Sequence, residues 1–226
     1  MENVKGEITV VIGHFNSEIL KMRFNDDNCR KKVYFNVFDN DFFCNTIYDD
    51  LLLTLKGMKC KKPFEKIIKS LKMVDLDTSF LNYSFDCLSY GSKSKCLLAK
   101  ELIKNPKVFY LDEPFLGLDQ SSKRKIVRLF KMMKIKYGKK FLIALDDIDL
   151  AFEVADNLIV SDDDGVVYSG DKYKFFTSDL YLKYGFSLPK IVFFVNYVRK
   201  TKNVKLNYRD DISDLMKDIY RFVRWF

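Results

Sequence analysis

The stretch that most restricts the fold is Asn105 to Gln120, NPKVFYLDEPFLGLDQ. Val108, Phe109, Tyr110 and Leu111 follow an Asn-Pro turn signal and lead straight into Asp112, Glu113 and Pro114. A short, unbroken apolar run bounded by turn chemistry predicts a strand buried on both faces, which in an α/β protein is a parallel strand. The two carboxylates at its end then stand at the rim where open α/β sheets bind ligands. Read alone, an Asp in this position also serves as a turn residue or helix cap.

Upstream, Leu88-Ser89-Tyr90-Gly91-Ser92 precedes Cys96, Leu97, Ala99, Leu102 and Ile103, which recur at helical spacing. Ser89 is an N-cap residue, so a helix starts here and runs toward the strand, and its N-terminus favours anions. LSYGS resembles the LSGGQ signature of the nucleotide-binding subunits of ABC transporters. FYLDEP resembles the Walker B strand of that family, and Gly117-Leu118-Asp119 its D-loop, in the family's order and spacing. The resemblance implies an α/β fold of P-loop NTPase type: an ABC ATPase-like domain over 1–178, a helical signature subdomain over about 45–104, and a small helical extension over 179–226. It also implies ATP and Mg2+ as cofactors, with Asp112 holding the metal through water, Glu113 as general base, Asp119 in the D-loop, and Ser89, Tyr90, Gly91 and Ser92 as the signature. Ser92 stands where the family has glutamine and Tyr90 where it has glycine, and the change from glycine to tyrosine adds bulk and removes access to positive φ.

The remaining composition narrows the setting. With 226 residues, 48% hydrophobic, the chain is long enough to bury a sizeable core and too apolar to be disordered. A net charge of +8 admits anionic partners. Much of it lies in Lys123 to Lys140, where the lysines alternate with Ile126, Val127, Leu129, Phe130 and Met133 at helical spacing and read as a solvated outer face. No nucleic-acid partner is expected. Five cysteines without C-x-x-C pairing and a single histidine argue against a zinc site and for a reducing compartment. No signal peptide or membrane span is expected, so a membrane role comes through partners.

Glu7 to Ile12 is a β-branched strand ending at Gly13. The family pattern that follows such a strand is G-x-x-x-x-G-K-[ST]. Laid on it without gaps, Glu18 replaces the second glycine, Ile19 the lysine and Leu20 the hydroxyl, leaving Gly13, Ser17 and Lys21 as remnants of a degenerate loop. A carboxylate about 4 Å from a phosphate oxygen costs about 4 kcal/mol at an effective dielectric of ~20. Weak or absent ATP binding through this loop is therefore expected. Only Met1 to Gly6 precede the strand, which implies a truncated N-terminal β-subdomain.

RKKVYFNVFDNDFF followed by TIYDD is similar to the energy-coupling factor (ECF) branch, which imports vitamins and metal ions. The resemblance puts Asn36 on the Q-loop glutamine, one methylene shorter than usual. It implies that exposed phenylalanines among Phe42 and Phe43 dock a transmembrane subunit, while Ile47 and Tyr48 read as local core. Pro63 to Met73 is an amphipathic helix, and Phe141 to Leu145 a further buried strand. After that strand, Asp146 falls on the H-loop histidine, where a carboxylate repels phosphate. Asp162-Asp163-Asp164-Gly165 reads as turn chemistry in a hairpin. Helices beginning at Pro189 and spanning Ile212 to Trp225 are similar to the ECF extension that pairs with a partner ATPase, although packing on their own domain explains the periodicity equally well.

Three readings follow. The first is a degenerate ECF-type subunit on the cytoplasmic face of the membrane, paired with a competent second ABC ATPase beneath a transmembrane coupling subunit and a substrate-binding membrane subunit. The second is a non-hydrolysing scaffold, and the third an active ATPase with an unconventional phosphate loop.

Overall fold

The computed structural model describes residues 6–38, 42–58 and 60–223. In chain order the elements are β1 (Glu7–Gly13), α1 (Asn16–Asp26), β2 (Lys32–Asn36), α2 (Ile47–Lys56), α3 (Pro63–Met73), α4 (Tyr90–Ile103), β3 (Val108–Asp112), α5 (Gln120–Tyr137), β4 (Lys140–Ala144), α6 (Ile148–Val154), β5 (Asn157–Asp162), β6 (Gly165–Asp171), α7 (Lys172–Thr177), α8 (Leu180–Lys183), α9 (Lys190–Lys202) and α10 (Ile212–Val223). Two 3-10 turns, Thr78–Asn82 and Phe85–Cys87, precede α4. The expected segment ahead of Gly6 and the end of the last helix at Trp225 lie outside the described residues, as do the side chains of Phe222 and Val223. The chain divides into two compact units, Met1–Ile8 with Ser17–Ala144, and Thr9–Asn16 with Leu145–Phe226.

In the first unit β3 runs parallel between β2 and β4, with Asn36, Asp112 and Ala144 in register at their C-terminal ends. The apolar run of β3 is buried, as a strand flanked on both sides requires. Alternation sorts its side chains. Phe109 stacks on Phe141 with ring centroids 4.7 Å apart, and Phe130 of α5 stacks on Phe141 at 4.8 Å. Tyr110 instead packs with Leu20 of α1 and Ala144, joined by Phe24 and Tyr34. Asp112, two residues after Tyr110, therefore faces the α1 side.

The helical layer of this unit comprises α2, α3 and α4. Thr46 caps α2, Pro63 occupies the first turn of α3, and Ser89 caps α4. Asp119 caps α5, and Gly138, at φ 60°, ends it in the left-handed conformation expected of a C-terminal glycine.

In the second unit the Thr9 to Gly13 part of β1 pairs in parallel with β5, and β6 returns antiparallel to β5 with an irregularity between Val160 and Ser161. The acidic segment makes the turn, the Asp164 N–H donating to the Asp162 side chain at 2.9 Å. Val195, Leu206 and Leu215 form the core of the C-terminal helices with Ile191, Val198 and Ile219. Lys172 ties α7 to this region: its buried ammonium meets the Asp210 carboxylate at 2.8 Å and donates to the Phe152 carbonyl at 2.8 Å. No described helix is long and apolar enough to cross a membrane.

Candidate nucleotide and signature site

The first unit gathers four polar side chains at the end of its sheet. Asp112 is 4% exposed, and both of its oxygens accept hydrogen bonds. The Ser17 hydroxyl donates to Oδ1 at 2.7 Å; the Tyr34 hydroxyl and Asn36 Nδ2 donate to Oδ2 at 3.1 and 3.0 Å. Asn36 keeps its own oxygen occupied by the Phe38 N–H at 2.8 Å. The structure brings the Q-loop candidate Asn36 and the Walker B candidate Asp112 into direct contact. Tyr34 was missed, although strand alternation puts it on the same face of β2 as Asn36. Glu113 follows at φ 47°, its N–H donating to the Ala144 carbonyl at 3.2 Å.

Leu20, expected at the hydroxyl position, is fully buried against Tyr110 and Ala144. The hydroxyl that reaches the strand-end aspartate belongs to Ser17. Ser17 lies four residues after Gly13, whereas the family pattern puts its hydroxyl seven after the first glycine, so the loop is three residues short. Counting back from Ser17, Asn16 takes the lysine's place and Phe15 the second glycine's. Phe15 adopts φ 57°, a left-handed conformation that costs a phenylalanine about 1–3 kcal/mol. Glu18 and exposed Lys21 lie beyond Ser17 in the first turns of α1.

In the second unit Gly13, at φ 105°, lies so close to the Ser161 carbonyl that a Cβ has no room. His14 Nδ1 meets Asp163 Oδ1 at 2.6 Å, which raises the histidine pKa, first through the hydrogen bond and then through the carboxylate's charge. Asn16 Nδ2 donates to Asp146 Oδ1 at 2.9 Å.

The signature belongs to the first unit. Ser89 accepts the Ser92 N–H at 3.3 Å and donates to or accepts from the Ser92 hydroxyl at 3.0 Å. Gly91 approaches Gly117 so closely that an added Cβ would stand 2.7 Å from its carbonyl. Gly117 has φ 75°, and the Tyr90 ring fills the space beside it. Tyr90, 44% exposed, therefore lies against the D-loop. Asp119 accepts from the Ser122 N–H at 3.0 Å and the Ser122 hydroxyl at 2.7 Å, which pulls its pKa down to about 2.

These features define a nucleotide-binding α/β class with a helical signature layer. The family model described as ABC transporter matches residues 3–116, half of the chain, and the chain belongs to that family. It is 32% identical over 197 residues to the energy-coupling factor transporter ATP-binding protein EcfA3 of Oenococcus oeni, covering 83% of this chain and 68% of the relative. EcfA2 of Mesomycoplasma hyopneumoniae is 28% identical over 90% of this chain and 69% of its own length. Among solved structures, cbiO1 from Clostridium perfringens, part of the ABC transporter complex cbiONQ, matches with a TM-score of 0.64 at 23% identity, covering 88% of each chain. The ATP-binding cassette MJ0796 in a dimeric post-hydrolysis state bound to ADP and Pi matches with a TM-score of 0.63 at 22% identity, covering 74% of this chain and 86% of that one. The fold is that of an ABC ATPase cassette.

The family implies ATP and Mg2+. Ser17 and Asp112 are the hydroxyl and carboxylate that suit a magnesium ion, but Asp112 already accepts three hydrogen bonds. A triphosphate fits poorly, because the loop is three residues short of the pattern and carries Asn16 in place of its cation.

Proposed function

We propose that this chain is the ATP-binding-cassette subunit of an ECF-type uptake transporter for a vitamin or metal ion, degenerate at its own phosphate loop. It pairs with a second, competent ABC ATPase and completes that partner's site with Ser89 and Gly91. The observation that carries this reading is the contrast between two halves of one apparatus. The signature helix keeps its cap and its close approach to Gly117. The loop has lost its lysine, and Asn16 bonds Asp146 instead.

An α-helix N-terminus capped by an exposed serine suits the γ-phosphate of a nucleotide held elsewhere. Glu113 and Asp112 then have no role in hydrolysis at this chain's own loop, since a general base acts only on a water held beside a bound phosphate. The chain sits peripherally on the cytoplasmic face of the membrane. Exposed Phe43, with Leu53 and Phe64 of the helical layer, supplies the apolar surface for the transmembrane coupling subunit, and a substrate-binding membrane subunit selects the cargo. The 179–226 extension contacts the partner ATPase.

Two measurements test this. Mg2+-dependent binding of a fluorescent ATP analogue to the isolated chain is expected to be absent up to about 1 mM. In the reconstituted complex, Ser89→Ala is expected to lower turnover roughly 100-fold to 1,000-fold, as loss of one preorganised donor does. Tyr90 against Gly117 favours one second reading, a non-hydrolysing scaffold, and unchanged turnover in Ser89→Ala would select it.

A further inference from the structure

A buried ion pair in the helical layer serves none of the groups described so far. Lys100 of α4 is 7% exposed and Asp50 of α2 is 1% exposed, with Nζ and Oδ2 2.8 Å apart. Burying two charges costs desolvation that their attraction repays only in part, so such a pair contributes little to stability over an apolar replacement of similar volume. Its geometry gives it another use. Asp50 Oδ1 accepts the backbone N–H of Phe43 at 2.7 Å, and the Lys100 ammonium lies over the rings of Phe42 and Phe43 at 4.9 and 5.2 Å. Phe42 in turn stacks on Phe85 at 4.2 Å with an 8° interplanar angle, and Lys93 of α4 lies 5.4 Å over the other contact of that stack, the Phe85 ring. Phe43 itself is 77% exposed.

We infer that Asp50 and Lys100 are positioning residues that tie the exposed Phe43 to the signature helix, so that a partner seated on Phe43 moves Ser89. The tie runs through three short links: the Phe43 amide to Asp50, Asp50 to Lys100, and Lys100 along the rigid helix α4 to its N-terminal turn. The Phe42, Phe85 and Lys93 contacts form a second, parallel path to the same helix. A charged, hydrogen-bonded link has a direction, and buried polar or ionic groups fix register in some proteins. The occupant of the Phe43 surface, an apolar cytoplasmic helix of the transmembrane coupling subunit, rests on the function proposed above; the tie itself does not.

The test uses amide hydrogen exchange on the full chain. Two amides report the ends of the tie: Phe43, held by Asp50, and Ser92, held by Ser89. The double variant Asp50→Leu with Lys100→Met replaces the pair by apolar groups of similar volume and keeps the layer packed. Exchange at both amides is expected to rise at least about tenfold, with the global unfolding midpoint unchanged within about 2 °C. Lys100→Arg, which keeps the cation and its bonds, is expected to leave both amides protected. The inference is overturned if the double variant speeds Phe43 alone, or if both amides keep wild-type protection. Failure of the proposed function would appear separately, as Ser89→Ala without effect on the turnover of the complex.

Discussion

Replacing Asp112 by Asn tests whether the end of β3 is held by hydrogen bonds or kept for a metal. The two cases differ in sign. A carboxylate poised for magnesium and lacking donors is a buried charge at a cost, and neutralising it stabilises the metal-free chain. Asp112 instead accepts from Ser17 at 2.7 Å, Tyr34 at 3.1 Å and Asn36 at 3.0 Å. In the Asn variant the Ser17 hydroxyl can turn to accept from the new amide, and the remaining oxygen still serves Tyr34 and Asn36. All three bonds survive in number and lose charge assistance. A bond to a charged group contributes about 1.5–3 kcal/mol and a neutral one about 0.5–1.5, a difference of about 1 each. Relief of the carboxylate's desolvation returns about a third of that sum, leaving a net destabilisation of about 2 kcal/mol. For a chain of this length the melting temperature falls by about 4–8 °C, read by circular dichroism in EDTA. Tyr34→Phe, which removes one donor, is expected to lower it by about half as much. A higher melting temperature for Asp112→Asn in EDTA would refute the network and return Asp112 to the role of an unfilled metal ligand.

Gly117→Ala puts a methyl into the Tyr90 ring at φ 75° and is expected to cost about 2 kcal/mol, seen as a loss of thermal stability together with a change in tyrosine fluorescence. Asp119 has its pKa depressed to about 2 by the Ser122 bonds, so the stability it contributes is present above the unfolded value near 3.8 and is lost as pH falls toward 2; Asp119→Asn should flatten the acid limb of the unfolding curve over that window. Lys172→Met leaves the Phe152 carbonyl without its buried donor while Asp210 regains water, an expected loss of about 2–3 kcal/mol in urea unfolding, smaller than for a fully buried pair.

The strand ending in Asp112 was legible because burial and chemistry coincide there: a run of four apolar residues has no other place in an α/β protein, and the carboxylate after it has to face a rim. Ser89 and the hairpin around Asp162 were legible for a local reason, since caps and turns are settled by residues within four positions; the cap that Asp119 makes on α5 follows the same rule but was not read. The loop after Gly13 was not legible. Pattern matching without gaps assigns positions by counting and puts the hydroxyl position at Leu20, whereas in the structure Leu20 is buried against Tyr110 and the hydroxyl that reaches Asp112 is that of Ser17. Leu20 still had a signal of its own, as an apolar residue one helical turn from Phe24, both of which face Tyr110. Lys100 was invisible for the opposite reason. A lysine in a helix reads as solvent-facing until Asp50 and the Phe42 and Phe43 rings are seen to cover it.

Asp112 in the first unit and Asp146 in the second are each satisfied by side chains of their own unit. A buried carboxylate such as Asp112 needs either a cation or donors, and β2 supplies two of the donors from Tyr34 and Asn36, on the face that alternation gives them. Each stands on a strand held in register by its neighbour, so the donors are positioned before any ligand arrives. Asn16 likewise gives Asp146 a donor where a lysine and a phosphate would otherwise balance charge. The signature has no such substitute: its capped turn is complete without nucleotide and still offers the Ser89 hydroxyl and the first N–H groups of α4 to an anion from outside. Under the function proposed above, that capped turn is what this chain supplies to the site of its partner ATPase.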